Sequence, residues 1–222
     1  IEYTLIRSKR KTLAIYIFKG KVEVRAPLKH PKADIDKFLA SKESWIIEKL
    51  IASAQREKRK EEFVLNYNSV LQYCGKRYPI YAREGKHIGF DDSGFYMPPN
   101  LTVEEIKGNC IKIYRTLAKK DLAEKIHKYS RIMGVAPIAV KINGATTRWG
   151  SCSAKKSINF SWRLIMANDD IIDYVVIHEL AHIVEMNHSK RFWAVIENVI
   201  PDYKERKIQL KRFQYQIENE DW

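Results

Sequence analysis

The segment "NDDIIDYVVIHELAHIVEM", which runs from Asn168 to Met186, constrains the fold of this chain more than any other. Asn168 can cap a helix, and carboxylates in the following turn suit the positive end of the helix dipole. Those carboxylates belong to Asp169, Asp170 and Asp173. Most of the remaining residues are apolar, so the sequence predicts a helix that is buried on several faces.

Two histidines lie well inside this predicted helix. His178 and His182 are one turn apart on the same face, so both imidazoles can reach one cation. Glu179 is offset around the helix, where it can reach a metal-bound water without being a ligand. In such an H-E-x-x-H pattern, zinc lowers the pKa of its water toward about 7 and the carboxylate transfers the proton. The alternative is that both histidines are hydrogen-bonded core residues.

A catalytic zinc needs a third protein ligand and one open position. His188 follows a predicted helix break, and Ser189 can cap the next helix, so the chain can bring His188 back toward the first two histidines. The spacing from His178 to His188 equals that of the metzincin pattern, but Glu185 stands where that pattern has glycine. Glu185 and Glu197 are therefore rival third ligands, and His188 is the preferred one.

Hydrophobic periodicity predicts an α+β fold in two parts. Residues 3–26 alternate between apolar and polar side chains, which predicts three short antiparallel strands, and residues 32–62 have the spacing of one long amphipathic helix. More strands are expected between residues 70 and 97. We therefore expect an N-terminal β-rich domain with one long helix over 1–99, followed by a second domain over 100–222.

The second half is predicted to begin with another long helix. Thr102 is placed to cap it, Glu105 occupies the capping-box position, and Gly134 lies near its end. The strand-like segments "IAVKI" and "INFSWRLI" follow and precede the histidine-bearing helix. They predict a small antiparallel sheet beside that helix.

Charge and composition narrow the classes of partner. The net charge is +13, and residues 1–60 contain sixteen Lys or Arg against seven Asp or Glu. This excess favours anionic partners, including nucleic acid, although a solvated basic surface is an equally open interpretation. No apolar run approaches the roughly 18 residues of a membrane span. The start of the chain lacks a secretory pattern and the three cysteines are odd in number, which predicts a cytoplasmic protein without a membrane partner.

The stretch from Thr146 to Trp193 resembles the YgjP-type metal-dependent hydrolases, a group similar to the SprT and WLM zinc metallopeptidases. The resemblance rests on "RWGSCS", "INFSWRLI", "YVVIHELAH" and "NHSKRFW", in order and spacing. Weaker N-terminal matches are "RSKRKTLAIYI" and "VEVRAP". The resemblance implies a compact zincin-like domain in which three histidines bind Zn²⁺ and Glu179 is the general base. The implied ligands are His178, His182 and His188.

The "RWGSCS" block supplies candidate substrate-binding residues. Gly150 suggests a tight turn, Arg148 could bind a carboxylate or phosphate, and Ser151 could donate to an oxyanion. Asn159 and Ser161, on the strand "INFSWRLI", are further candidates. The alternative is that Trp149 and Cys152 pack in the core and that Arg148 pairs with a nearby acid.

Three hypotheses about function follow from these residues. The first is a metallopeptidase acting on a peptide or protein, because an extended peptide can pair with an edge strand beside the helix, for which "INFSWRLI" is the candidate. The second is a nucleotide pyrophosphatase, because members of the YgjP group are assigned as acting on UTP and the basic half could hold a triphosphate. The third is a DNA-associated protease whose basic N-terminal half binds nucleic acid, as the SprT resemblance allows.

Overall fold

In the computed structural model, which describes residues 1–18, 20–218, 220 and 222, the first three strands form one mixed sheet. They are β1 (Thr4–Ser8), β2 (Ala14–Phe18) and β3 (Lys21–Pro27), in the spatial order β1-β3-β2. β2 pairs with β3 in antiparallel fashion, as predicted, but β1 is parallel to β3, so the prediction of an all-antiparallel region was wrong. β3 takes the centre because its inward side chains are the most buried of the three strands. Those side chains are Val22, Val24 and Ala26.

The predicted single helix over 32–62 is two helices, α1 (Lys32–Ala40) and α2 (Glu43–Glu61). At the break, the hydroxyl of Ser41 donates to the carbonyl of Phe38 over 2.7 Å and competes with the helical ladder. The break lets both helices bury apolar residues in the same core as β3. Ile35 and Ile46, one from each helix, are both 0% exposed.

Four strands follow at residues 70–97, and they belong with the C-terminal part of the chain. They are β4 (Val70–Tyr73), β5 (Lys76–Ala82), β6 (Gly89–Asp91) and β7 (Gly94–Met97), in the order β4-β5-β7-β6. The described chain divides into an N-terminal unit, Ile1–Phe63 with a short piece that begins at Ile217, and a C-terminal unit, Val64–Gln216 with Trp222.

The boundary that we expected after residue 99 therefore lies after residue 63 in the structure. Hydrogen bonds from β4 and the turn after it explain the difference. The hydroxyl of Tyr114 donates to the Gln72 carbonyl over 2.6 Å, and the Cys74 N–H donates to the Ile165 carbonyl over 2.7 Å. Periodicity along the sequence predicts where strands lie, but it does not predict which other segments they form hydrogen bonds with.

The long helix α3 (Val103–Met133) begins and ends as its sequence predicts. Glu105 N–H donates to Thr102 Oγ1 over 3.3 Å, and the Glu105 carboxylate accepts from Thr102 N–H over 2.8 Å, which completes the capping box. At the other end Gly134 adopts the left-handed conformation, with φ 64°. Local chemistry alone therefore sets both ends of this helix.

The third sheet contains β8 (Ala139–Asn143), β9 (Gly150–Cys152) and β10 (Ser157–Ser161), in the order β8-β10-β9. β9 is antiparallel to β10, but β8 is parallel to it, so the predicted antiparallel sheet is also mixed. The segment "INFSWRLI" is a strand only to Ser161 and continues as a 3-10 helix, Trp162–Met166.

Three helices complete the chain: α4 (Asp169–Val184), α5 (Lys190–Val199) and α6 (Tyr203–Ile217). The combination of small mixed sheets with packed helices confirms the predicted α+β class. None of the described helices has both the length and the apolar character that crossing a bilayer requires.

Candidate metal centre

Helix α4 carries the first two histidines into the interior of the C-terminal unit. The Asn168 side chain accepts from the N–H of Ile171 over 3.0 Å, which is the predicted cap. The helix is buried on several sides, as its composition requires. His178 and His182 lie one turn apart on this fixed helix, and their ring centroids are 5.0 Å apart.

His188 joins them from the turn after α4. Ser189 Oγ accepts from the N–H of Phe192 over 3.3 Å and starts α5, so the chain reverses within a few residues. The reversal brings His188 Nε2 to 3.1 Å from His178 Nε2. One ring nitrogen from each of His178, His182 and His188 lies within 4.8 Å of the other two.

The two rival ligands do not join this group. Among the described residues, the three histidines form the one cluster of His, Cys, Asp and Glu with metal-binding separations. Glu197 is exposed on α5, and Glu185 contributes its backbone carbonyl rather than its carboxylate. His182 Nδ1 lies 3.3 Å from that carbonyl, and donation of its hydrogen there leaves Nε2 free to bind a cation.

The donor set fits a zinc ion. Two imidazole Nε2 atoms 3.1 Å apart need a proton or a cation between them. Burial, and then the charges of His182, His188 and Lys207, lowers the pKa of His178 to about 3, so its imidazole is neutral. Neutral imidazoles are the form that ligates zinc, and three of them leave one coordination position open.

Aromatic side chains of α5 hold the histidine rings from one side. The ring of Phe192, which is fully buried, lies 5.0, 4.5 and 4.7 Å from the centroids of His178, His182 and His188. Trp193 stacks on His188 with a centroid distance of 5.7 Å and an interplanar angle of 22°. These contacts restrict ring rotation, and they come from the "KRFW" part of the sequence.

Glu179 is packed against β9. A Cβ atom on Gly150 would lie 2.6 Å from Glu179 Cγ, so only glycine leaves room for this carboxylate. Glu179 is 6% exposed, its Oε2 has no hydrogen-bond partner in the described structure, and burial raises its pKa to about 7. The sequence suggested only a tight turn at Gly150, and no signal in a single sequence reveals this contact.

The available strand edge beside α4 belongs to β9, not to the predicted strand β10. β10 lies in the middle of its sheet, so β8 and β9 occupy both of its edges. Ser153 N–H donates to Ser157 O over 3.0 Å, and Ser161 N–H donates to Trp149 O over 2.8 Å. Because antiparallel hydrogen-bonded pairs alternate, the backbone groups of residues 150 and 152 are directed away from β10.

The four candidate substrate-binding residues are not brought together. Ser151 follows Gly150 on β9, so its side chain lies on the sheet face away from Glu179. Asn159 is directly opposite Ser151 on β10 and therefore lies on the same face as Ser151. Ser161 is 1% exposed and donates to the Ala145 carbonyl over 2.8 Å, which gives it a structural contact. Arg148 is exposed before β9 and makes no ion pair with the described residues.

Two further residues of the "RWGSCS" block also have defined contacts. Trp149 packs against Phe213 of α6 at a centroid distance of 5.2 Å. Cys152 is half-buried, and burial, followed by the charge of Glu179, raises the pKa of its thiol. The core-packing interpretation therefore describes Trp149, while Gly150 is the residue of the block that lies against Glu179.

A buried H-E-x-x-H helix, a third histidine and a neighbouring strand edge define the class of metal-dependent hydrolases. Residues 11–213 match the YgjP-like family, described as a metallopeptidase domain, and the chain belongs to this family. The chain is also 23% identical over 140 residues to the UTP pyrophosphatase of Escherichia coli strain K12, which covers 63% of this chain and 75% of that relative.

Two solved metallopeptidase zymogens are also similar to part of the chain. Abylysin of Pyrococcus abyssi is 23% identical, covers 45% of this chain and 97% of its own, and has a TM-score of 0.39. Jannalysin of Methanocaldococcus jannaschii is 22% identical, covers 44% and 98%, and has a TM-score of 0.38.

Proposed function

We propose that this chain is a zinc-dependent peptidase whose metal ligands are His178, His182 and His188. The observation that carries the proposal is the convergence of three ring nitrogens within 4.8 Å beside the buried carboxylate of Glu179. Nothing in the packing of a helix requires three imidazoles to face one another. Metal binding provides a reason for the arrangement, because each neutral ring offers one lone pair.

Glu179 is the proposed general base. Bound zinc supplies a Lewis acid that polarises a carbonyl and lowers the pKa of water. The Glu179 carboxylate then takes the proton from the attacking water and delivers it to the departing amine nitrogen. Burial raises the pKa of the Glu179 carboxyl above its ordinary value, which makes it a stronger base toward the water proton.

The edge of β9 is the proposed binding surface for the peptide backbone. Its outward N–H and C=O groups at Gly150 and Cys152 can pair with an extended chain and hold it along the sheet. Such pairing does not depend on side chains, so this surface supports a peptide substrate without predicting which side chains flank the scissile bond.

The test compares zinc-loaded wild type with the Glu179→Gln variant, using an unfolded protein and UTP as parallel substrates. We expect peptide cleavage to fall by about 10²–10⁴-fold, because the amide cannot accept the proton. Glu185→Gln is the matched control, since that residue contributes a backbone carbonyl near the site. Peptide cleavage that persists in Glu179→Gln would reject the proposed base.

The second candidate function is hydrolysis of UTP with release of pyrophosphate. The similarity to the UTP pyrophosphatase favours it, and so does a cation at the rim of the site. Lys207 Nζ lies 4.7 Å from the ring centroid of Trp193, which stacks on both His188 and Tyr203. Glu179-dependent pyrophosphate release without peptide cleavage would replace the peptidase proposal with this one.

A further inference from the structure

The β1–β3 sheet has one covered face and one open face. Its covered face contributes Val22, Val24 and Ala26 to the core formed with α1 and α2. Side chains alternate along each strand, so the remaining residues lie on the opposite side. We call this opposite side the open face. It consists of Thr4, Ile6 and Ser8 on β1, Ala14, Tyr16 and Phe18 on β2, and Lys21, Glu23, Arg25 and Pro27 on β3.

Two aromatic rings of the open face are exposed to solvent. Phe18 is 72% exposed and Tyr16 is 43% exposed, and both lie on the edge strand β2. They are two residues apart, so both side chains leave the same side of the sheet from Cα atoms about 7 Å apart. Exposed aromatic rings in a row are unusual on a sheet that has already buried its core on the other face.

Basic residues of β3 lie next to both rings. In the strand register, Lys21 lies opposite Phe18. The guanidinium of Arg25 lies 4.5 Å from the ring centroid of Tyr16, and it also pairs with Glu23 over 2.6 Å. The charges of this pair offset each other, so Lys21 gives the open face its net positive charge. The segment that joins β1 to β2 adds Lys9, Arg10 and Lys11 at one end of the sheet.

We propose that the open face binds single-stranded nucleic acid, with bases stacked on Tyr16 and Phe18 and phosphates near Lys21 and Arg25. Exposed aromatic rings on a sheet, bordered by cations, provide both components of such binding. A duplex hides the faces of its bases, so the rings select single strands. This binding is separate from the proposed metal chemistry and does not depend on it.

The test measures binding of a fluorescent oligodeoxythymidine to the full chain by anisotropy, in parallel with the RNA oligonucleotide of the same length. The Tyr16→Ala/Phe18→Ala double variant should bind at least about tenfold more weakly, because base stacking is lost. Tyr215→Ala is the control, since that tyrosine is 62% exposed on α6 in the other unit. Circular dichroism checks that each variant is folded.

The charge component is tested by a second pair of variants. Lys21→Gln/Arg25→Gln should weaken binding and should reduce the slope of log affinity against log salt by roughly 0.7 for each phosphate contact removed. Lys49→Gln/Lys58→Gln removes the same charge from α2 in the same unit and should leave the slope closer to that of wild type. Equal slopes for the two variants would show that only net charge matters and would overturn the assignment to this face.

Binding of inorganic polyphosphate shows how much of the affinity comes from charge alone and how much comes from base stacking. The Tyr16→Ala/Phe18→Ala variant should bind polyphosphate as wild type does, because polyphosphate has no bases. Equal losses for polyphosphate and for the oligonucleotide would overturn the stacking assignment. The absence of detectable binding to both the DNA and the RNA oligonucleotide at low salt would also overturn it. If the chain instead forms dimers that the double variant disperses in sedimentation velocity, the open face is a self-association surface and the proposal is wrong.

Discussion

The β1–β3 and β8–β10 sheets share one topology, although they belong to different units. In each sheet the last strand in sequence is central, parallel to the first strand and antiparallel to the second. In each sheet this central strand also has fully buried side chains: Val24 and Ala26 in β3, and Ile158 and Phe160 in β10. Both sheets therefore place their most buried strand in the centre. There its backbone can form hydrogen bonds along both edges.

The second strand is where the two sheets differ. β2 carries the exposed rings of Tyr16 and Phe18, whereas β9 carries Gly150, which has no side chain and lies against Glu179. The helices α1 and α2 meet the first sheet with apolar residues, while α4 presents a carboxylate to the second. The same strand arrangement therefore supports an aromatic surface in one unit and the proposed hydrolytic site in the other.

The largest expected effect is the loss of zinc binding, which involves only the unit that contains the β8–β10 sheet. His178→Ala and His182→Ala should each abolish zinc binding and activity, because two remaining imidazoles do not hold a zinc ion firmly. His188→Ala should at least weaken zinc binding. Metal content per chain, measured by mass spectrometry after dialysis, checks this, with His127→Ala on the exposed side of α3 as the control. Full zinc occupancy in His188→Ala would reject His188 and promote Glu185 or Glu197.

The next effect tests whether each sheet packs against a core of its own. Phe160→Ala in β10 should destabilise the protein by about 3–5 kcal/mol, and Ile46→Ala, which faces β3, by about 2–5 kcal/mol, since each leaves a cavity in a packed core. Chemical denaturation gives the loss of stability, and hydrogen exchange should locate the strongest loss of protection in the unit that carries the change. A uniform loss across both units would contradict the view of two separate cores.

Gly150→Ala tests the difference between the second strands. Its Cβ must displace Glu179, and a misplacement of about 1 Å can cost about 10²-fold in activity. Overpacking should also cost about 1–3 kcal/mol of stability. Gly108→Ala in α3 is the matched control, because a Cβ there meets nothing within 4 Å and should leave activity unchanged. Full activity in Gly150→Ala would mean that the close contact is not needed to position the base.

The smallest effect concerns the helices that cover the two sheets. Asn168→Ala removes the side-chain cap of α4 and should cost about 1 kcal/mol. Lys42→Ala, at the start of α2, should cost close to nothing, because no side-chain cap bond exists there. Thermal unfolding of both variants provides the comparison. Equal losses of stability in Asn168→Ala and Lys42→Ala would indicate that the side-chain cap contributes nothing to the stability of α4.

Local signals predicted the parts of the fold that depend on neighbours in sequence. The capping box at Thr102 and Glu105, the Asn168 cap and the Ser189 cap all appear where the sequence indicated. The one-turn spacing of His178 and His182 follows from helical geometry and needs no tertiary information. Family membership and the α+β class were predicted from motifs of the same kind.

Long-range pairing was predicted less well, because alternation along a strand does not identify its partners. The sequence predicted antiparallel sheets where parallel pairs also occur, one helix where Ser41 divides two, and a boundary after residue 99 where the structure has it after residue 63. It also favoured β10 as the available edge, although β10 lies in the centre of its sheet.

The sequence by itself determined which residues could form a metal site, because ligand type and helical spacing are local properties. Only the tertiary structure decided that His188 faces His178 at 3.1 Å, that Gly150 makes room for Glu179, and that β9 offers the neighbouring edge. Each of these depends on packing between segments distant in sequence or joined by a turn. Such contacts are set by the burial of whole elements, which no short pattern of residues encodes.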